Sequence, residues 1–174
     1  MQSEVTQDLT LNPVAPSSAL YVLWGGANDY GGGQLNPAIP VGNILSEMTQ
    51  LSAAGATQFL VVNLPDLGKE PATLGTPLSA GATALTNAHN ALLAAGLAGF
   101  DTAHPTVTTT LLDVNLLFSE VIANPAAFGF TNVTQPYVTN QGGLLAPIRR
   151  SSEPAPPATT CSGTRSIRRR RRIS

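Results

Sequence analysis

Residues 20–30 read Leu-Tyr-Val-Leu-Trp-Gly-Gly-Ala-Asn-Asp-Tyr, and this stretch decides the fold class. Its first five residues form an apolar run of strand length without polar alternation, which predicts a strand buried on both faces, as in parallel sheets. Gly25 and Gly26 allow the backbone to turn sharply directly after that strand. In open α/β sheets the chemistry sits at the carboxyl ends of the strands. Asn28 is therefore a candidate N–H donor to a developing negative oxygen at this end.

Residues 1–18 are predicted to form a helix or loop. After the strand at 20–24, predicted helices and strands alternate along the chain. Strands that alternate with helices favour βαβ units and hence an α/β fold with a parallel sheet. The predicted loops cover residues 31–39, 63–76 and 124–143. The predicted elements are a helix from Pro40 to near Gly55, a strand at 58–62, a helix from Thr76 and Pro77 to Gly96, a strand at 107–114 and a helix at 115–123. Their predicted buried stripes are Val41, Ile44, Leu45, Met48 and Leu51 on the first long helix, and Leu78, Ala82, Leu85 and Leu92 on the second.

Composition excludes several classes of protein. The apolar fraction of 43% is ordinary for a folded domain, which argues against both a disordered and a membrane-embedded chain. No run reaches the ~20 apolar residues of a membrane helix, and the polar start does not resemble a signal peptide. A single cysteine, Cys161, excludes an intramolecular disulfide and a multi-cysteine metal site.

Three further blocks accompany the glycine turn. They are 61–71, which reads VVNLPDLGKEP, 112–115, which reads LDVN, and 124–133, which reads NPAAFGFTNV. With the Gly-Ala-Asn-Asp block at 26–29, their order resembles the SGNH, or GDSL-type, esterases and lipases. The likeness is to the bacterial branch of phospholipases, lecithinases and haemolysins, and it covers roughly residues 10 to 143. Several separated blocks in the right order are a specific signal, whereas a lone G-x-N-D would be weak.

This resemblance implies a three-layer α/β/α sandwich of flavodoxin-like type, incomplete, with residues 1–148 as a partial hydrolase domain. The family's first strand would normally cover the strand at 20–24, so without it that strand is expected to become an apolar edge. It implies hydrolysis of carboxylic esters or acyl lipids through a serine nucleophile, a histidine base and an orienting acid. Asn28 is then the oxyanion donor, and Gly26 shapes its turn and the substrate site. The implied partner is an ester or lipid substrate, with no cofactor, no metal and no nucleic acid expected. It also implies a parent protein that is exported or at the cell surface.

The nucleophile and the Asp/His pair of that family are not found in this sequence. No G-D-S and no G-x-S-x-G block occurs, so we expect the chain as written to be inactive. Residues 101–105 read D-T-A-H-P, but the motif precedes a predicted strand that the family's D-x-x-H block follows, so we interpret it as a surface turn. His89 is expected at the edge of the core. Two lone histidines predict no metal site.

Charge separates the end of the chain from the rest. Eight of the nine basic residues lie at or after Arg149, whereas nine of the ten acidic residues precede it. One permitted codon choice for residues 160–169, read from its third base, encodes Leu-Phe-Trp-Asp-Ala-Ile-His-Pro-Thr, which contains the missing D-x-x-H block. We therefore predict that residues 149–174 are an out-of-frame tail.

Two other functions stay open. Residues 149–174 could be a genuine polybasic tail that binds nucleic acid or an anionic surface, in which case its affinity would fall steeply with salt. The chain could also be a noncatalytic interaction protein that reuses an esterase scaffold.

Overall fold

The computed structural model describes residues 2–135 and the backbone of two short segments, 138–141 and 144–147. The chain divides into two compact units, Met1–Pro136 and Tyr137–Ser174. In the second unit the described backbone forms an antiparallel pair of strands. The basic segment predicted from residue 149 onward lies outside the described residues.

The first unit contains most of the predicted elements. In chain order these are α1 (Gln2–Leu11), β1 (Tyr21–Leu23), α2 (Ala27–Gly31), α3 (Ala38–Ala53), β2 (Gln58–Val62), α4 (Ser79–Ala103), β3 (Thr108–Leu112), α5 (Val114–Ala123) and a 3-10 turn (Pro125–Phe128); β4 (Val138–Gln141) and β5 (Leu144–Pro147) belong to the second unit. The three predicted strands are confirmed, and so is the existence of the helices predicted from Pro40, from Thr76 and at 115–123, which correspond to α3, α4 and α5. The short helix α2 was not predicted. The predicted loop at 124–143 is wrong in part, because it holds the 3-10 turn and β4.

A parallel three-stranded sheet in the order β1-β2-β3 organises the first unit. Leu23 of β1 stands opposite Val61 of β2, and Val61 stands opposite Leu111 of β3. The α/β class with a parallel sheet is thus confirmed. None of the helices in the described part of the chain combines the length and apolar character needed to cross a membrane.

The hydrophobic core lies between one face of this sheet and the helices α3 and α4. Phe59 packs edge-on against Phe100 of α4, with ring centroids 6.0 Å apart. The predicted apolar stripe of α3 is buried here except for Leu45, which is partly buried. The buried apolar cluster consists of Ala15, Leu23, Val41, Ile44, Met48, Leu51, Ala56, Phe59, Val61, Leu93, Leu97 and Phe100.

The prediction that the first strand is buried on both faces is wrong. Val22 is 59% exposed and Trp24 58% exposed, whereas Leu23 between them is buried. The two exposed side chains alternate with Leu23 and therefore point to the face of the sheet opposite the core, where they are left uncovered. β1 is also the outer strand of the described sheet and pairs with β2 alone. An apolar edge of this kind is prone to pair with other chains.

Helix α4 begins and ends later than predicted. It begins at Ser79 rather than at Thr76 and Pro77, and it continues through Gly96 to Ala103. A Cβ atom built on Gly96 would approach Cδ1 of Leu45 to 2.5 Å. Gly96 therefore allows α3 and α4 to approach closely, and it does not end the helix.

The prediction of which α4 residues are buried is also wrong. Leu78 and Leu92 are 73% and 42% exposed, and Ala82 and Leu85 are only partly buried. The buried positions are Thr86, His89, Leu93, Leu97 and Phe100. The helix is rotated from the predicted orientation because its buried face begins with polar side chains. His89 accordingly lies inside the core, and not at its edge as predicted.

Candidate active site

Gly26 forms the turn that links β1 to α2. Its φ of 106° is a conformation that residues with a side chain rarely adopt. A Cβ atom at this position would also meet Cε1 of His89 at 2.7 Å. Backbone conformation and space therefore both require glycine at position 26, as the sequence predicted for a sharp turn.

Asn28 follows in the first turn of α2, and its side chain is exposed. The backbone around it is closed by local hydrogen bonds: Tyr30 N–H donates to Gly26 O at 3.3 Å, and Gly32 N–H donates to Asn28 O at 2.9 Å. The structure thus places Gly26 and Asn28 together at the carboxyl end of β1.

Tyr30 connects this turn to α4. Its hydroxyl lies 2.7 Å from Nδ1 of His89, and the two rings meet edge to face at 5.7 Å. Burial raises the pKa of Tyr30 to about 12, and the nearby carboxylate of Asp29 adds to this rise. The phenol of Tyr30 is therefore neutral at ordinary pH, and it shares one hydrogen bond with His89.

His89 is fully buried, with 0% of its surface exposed. Burial lowers its pKa because the imidazolium would lose its hydration, and the negative charge of Asp29 opposes this only in part. Within the described residues its Nε2 has no hydrogen-bond partner. The side chain is thus held as a neutral imidazole whose described polar contact is Tyr30.

An apolar groove of about 1000 Å³ opens beside Asn28. One wall is formed by residues 27–37, the other by residues 67–78, and α4 contributes the floor between them. Burial raises the pKa of Glu70, which lies on the second wall. The lining side chains are Ala27, Asn28, Tyr30, Leu35, Pro37, Leu67, Glu70, Thr73, Pro77, Leu78, Ala82, Ala84, Leu85 and Ala88, with Gly31 and Gly81.

Asn90 and Thr86 of α4 fix the start of the second wall through its backbone. Asn90 accepts from Leu64 N–H at 2.9 Å and donates to Leu64 O at 2.9 Å, so that it holds both sides of one residue's backbone. Thr86 accepts a longer bond of 3.3 Å from Leu67 N–H. These bonds occupy the buried face of α4 on which an apolar stripe was expected.

Thr83 and Ser79 continue this polar row toward the start of α4. Thr83 donates to Oδ1 of Asp66 at 2.7 Å, and Ser79 donates to Gly68 O at 2.8 Å. Lys69 pairs with the other oxygen of Asp66 at 3.3 Å. Residues at spacings of three and four share one helix face, so the row formed by Ser79, Thr83, Thr86 and Asn90 docks the loop along about three turns of α4.

A second polar cluster joins the carboxyl ends of β2 and β3. Asn63 donates to Oδ1 of Asp113 at 2.7 Å and accepts from Asn115 N–H at 3.0 Å. Asp113 also caps α5 by accepting from Leu116 N–H at 3.0 Å. This hydrogen bond, followed by that from Asn63, lowers the pKa of the Asp113 carboxyl. The cluster is engaged in holding the loops at this end of the sheet.

The rejected D-T-A-H-P segment takes no part in the groove. Asp101 belongs to the last turn of α4, and His104 ends the helix, where the segment was expected to form a surface turn. The His104 ring stacks on Phe100 at 4.1 Å, and its Nδ1 lies 3.0 Å from Phe100 O. In residues 2–135 neither histidine is hydrogen-bonded to a serine hydroxyl, and no three metal-binding side chains cluster.

Sequence reasoning missed the role of His89 and the polar row on α4. Tyr30 and His89 are 59 residues apart, so their contact leaves no local pattern. The polar row did leave a signal, because Thr83, Thr86 and Asn90 recur at helical spacing on a helix that is otherwise apolar. A polar stripe of this kind on a buried helix indicates that backbone groups of a loop dock against it.

Comparison with known proteins gives related esterases. No family model matches the chain. It is 32% identical over 136 residues to a phosphatidylcholine-sterol acyltransferase of Aeromonas hydrophila, covering 74% of this chain and 38% of that protein. It is 36% identical over 128 residues to esterase EstA of Pseudomonas aeruginosa and, equally, to that of Pseudomonas putida, covering 66% of this chain and 18% of each esterase. The chain thus spans well under half the length of these relatives. With these relatives and the blocks around Asn28, the chain belongs to the SGNH, or GDSL-type, esterase and lipase family.

Proposed function

We propose that this chain provides the oxyanion donor and the acyl-binding groove of a hydrolase that acts on carboxylic esters or acyl lipids. The observation that carries the proposal is the exposed Asn28 amide beside an apolar groove of about 1000 Å³. Concave, mostly apolar sites with a few polar groups are typical of small-molecule binding. Names of the related esterases support the same substrate class.

The proposed reaction has two steps. A serine oxygen attacks the ester carbonyl, histidine takes the serine proton, and the carbonyl oxygen becomes negative in the tetrahedral intermediate. Asn28 would donate an N–H to that oxygen, which stabilises the charge where it develops. Collapse of the intermediate breaks the ester C–O bond, and the histidine passes its proton to the departing alcohol. Water, which gives a proton to the same histidine, then attacks the acyl-serine, and the carboxylic acid and the free serine are released.

We propose that these 174 residues bind an ester without cleaving it, because they contain no G-D-S block. In residues 2–135 the imidazole of His89 faces Tyr30 and has no serine partner. Without a nucleophile, binding and oxyanion effects are all that remain. The purified chain should show no turnover of p-nitrophenyl octanoate above the buffer rate, and measurable turnover would contradict this part of the proposal.

Binding tests the remainder of the proposal directly. Octanoate, a carboxylate with an acyl chain, should bind more tightly than 1-octanol, because its charged oxygens accept from the Asn28 amide. Asn28→Ala should remove that preference and leave the binding of 1-octanol unchanged. Equal affinity of the unsubstituted chain for both ligands would refute the oxyanion role of Asn28.

Two proposals concern the rest of the protein. We propose that the complete domain is a three-layer sandwich of flavodoxin-like type in the exported parent protein; the exposed apolar side chains Val22 and Trp24 support a further layer on the sheet. We also propose that residues from about 149 onward are read out of frame. Sequencing the locus with its flanks tests this: a shifted frame that encodes D-x-x-H-P-T supports it, and an intact frame in independent isolates refutes it.

A further inference from the structure

We propose that Tyr30 and His89 are a positioning pair that holds Asn28 in its orientation toward the groove. This inference rests on the proposed role of Asn28. Helix α2 has only five residues, Ala27–Gly31. A helix of that length has no stability of its own in water, so its position must be fixed by contacts with the rest of the protein.

The described hydrogen bonds show which contact fixes it. Those made by the backbone of residues 26–34 are local, and they join residues of this segment to each other. Tyr30 supplies the described hydrogen bond that reaches another element, through its hydroxyl to Nδ1 of His89 at 2.7 Å. Gly26 also rests on the His89 ring, which leaves no space for a Cβ atom. Both ends of the turn that carries Asn28 therefore meet the same imidazole.

His89 is suited to this role because it cannot move away. It is fully buried on α4, and the same helix holds the opposite wall of the groove through Thr86 and Asn90. Its imidazole thus fixes the Asn28 turn relative to that wall. Oxyanion stabilisation depends on donors that are held in place before the charge develops, so a freely moving Asn28 would lose most of its effect.

Tyr30→Phe tests the pair, since it removes the hydroxyl and keeps the ring. The measured quantity is the ratio of the affinity for octanoate to that for 1-octanol, by calorimetry at pH 8. We expect Tyr30→Phe to reduce this ratio roughly 2- to 12-fold, the range for the loss of one hydrogen bond. Tyr21→Phe is the matched control, because its hydroxyl bonds Pro16 O at 3.2 Å, away from the groove, and it should leave the ratio unchanged.

Spectroscopy supplies a readout that a purely structural role would not change. In ¹⁵N-labelled protein the signal of the Asn28 side-chain amide should shift on addition of octanoate. Tyr30→Phe should reduce that shift, while the backbone amide signals of the rest of the protein stay in place. Unfolding in urea confirms that each variant is folded.

The outcomes separate the two proposals. If Asn28→Ala lowers the affinity ratio and Tyr30→Phe does not, the positioning role is refuted and the function of Asn28 stands. If neither substitution changes the ratio, the oxyanion role fails, and the positioning role fails with it. A lower ratio in both variants, with Tyr21→Phe unchanged, supports the pair.

Discussion

Replacing Gly26 with alanine tests the geometry of the site most directly. The backbone there has a φ of 106°, and forcing a side chain into such a conformation costs about 1–3 kcal/mol. The new Cβ atom would also lie 2.7 Å from Cε1 of the buried His89, and overpacking of this kind adds about 1–3 kcal/mol. We expect Gly26→Ala to lower the free energy of unfolding by about 2–6 kcal/mol, a large part of the stability of a typical domain.

Two other glycines separate the conformational cost from the steric cost. Gly33 has a φ of 93° with no atom within 4 Å of an added Cβ, so Gly33→Ala should show the conformational cost of about 1–3 kcal/mol alone. Gly31, the last residue of α2, has neither a positive φ nor a close neighbour, so Gly31→Ala should cost nothing and should stabilise the protein by at most about 1 kcal/mol.

Urea unfolding followed by circular dichroism measures all three variants. At a slope of about 1–3 kcal/mol per molar urea, the predicted loss for Gly26→Ala lowers the midpoint by about 0.7 M or more. The decisive comparison is between the two positive-φ positions. If Gly26→Ala costs no more than Gly33→Ala, the ring of His89 does not restrict position 26, and the reasoning about this turn is refuted.

Other substitutions on α4 give predictions that the same assay checks. Gly99→Ala should stabilise the protein by about 0.5–1 kcal/mol, because this exposed helical glycine has no close neighbour. Gly96→Ala should give no such stabilisation, because the new Cβ atom would contact α3. Equal effects of the two substitutions would contradict the close approach of the two helices. Asn90→Ala should cost about 1–3 kcal/mol by leaving loop backbone groups unpaired, and the exposed Asn87→Ala on the same helix should cost less than about 0.5 kcal/mol. Because burial lowers the pKa of His89 in the folded protein, the imidazole binds a proton in the unfolded state first as the pH falls. The contribution of His89 to the free energy of unfolding should therefore be full above about pH 6.5, the ordinary pKa of histidine, and should decline below it. The stability difference between the parent and His89→Gln, measured from pH 8 to pH 5, should therefore shrink on acidification, and a constant difference would exclude this linkage.

The strands of the first unit could be predicted because short runs of apolar and β-branched residues favour strands. The run at 58–62 was placed to the residue, and the turn at Gly26 followed from the two glycines after β1. What the local pattern could not show is which face of the sheet is covered, because that depends on the whole fold. Val22 has the same apolar character as its neighbour Leu23, yet the first is 59% exposed and the second is buried.

Helix α4 shows why burial patterns fail when polar groups are inside. A stripe drawn through its leucines included Leu78 and Leu92, both of which are exposed. Thr86 and His89 occupy the buried face because the loop and the turn beside them bring backbone and hydroxyl groups that need partners. Half of the candidate site, Gly26 and Asn28, could be identified from the family blocks, and the other half depends on contacts between distant residues.

The polar row of α4 has a consequence for how this site can diversify. Its side chains hold the 64–68 loop largely through backbone groups, as Asn90 does at Leu64 and Ser79 at Gly68. Loop side chains that point into the groove, such as those of Leu67 and Glu70, carry none of these bonds. Their identity can therefore drift or be selected while the wall keeps its place. A lineage built on this arrangement can change what it recognises by exchanging a few residues, without a new framework.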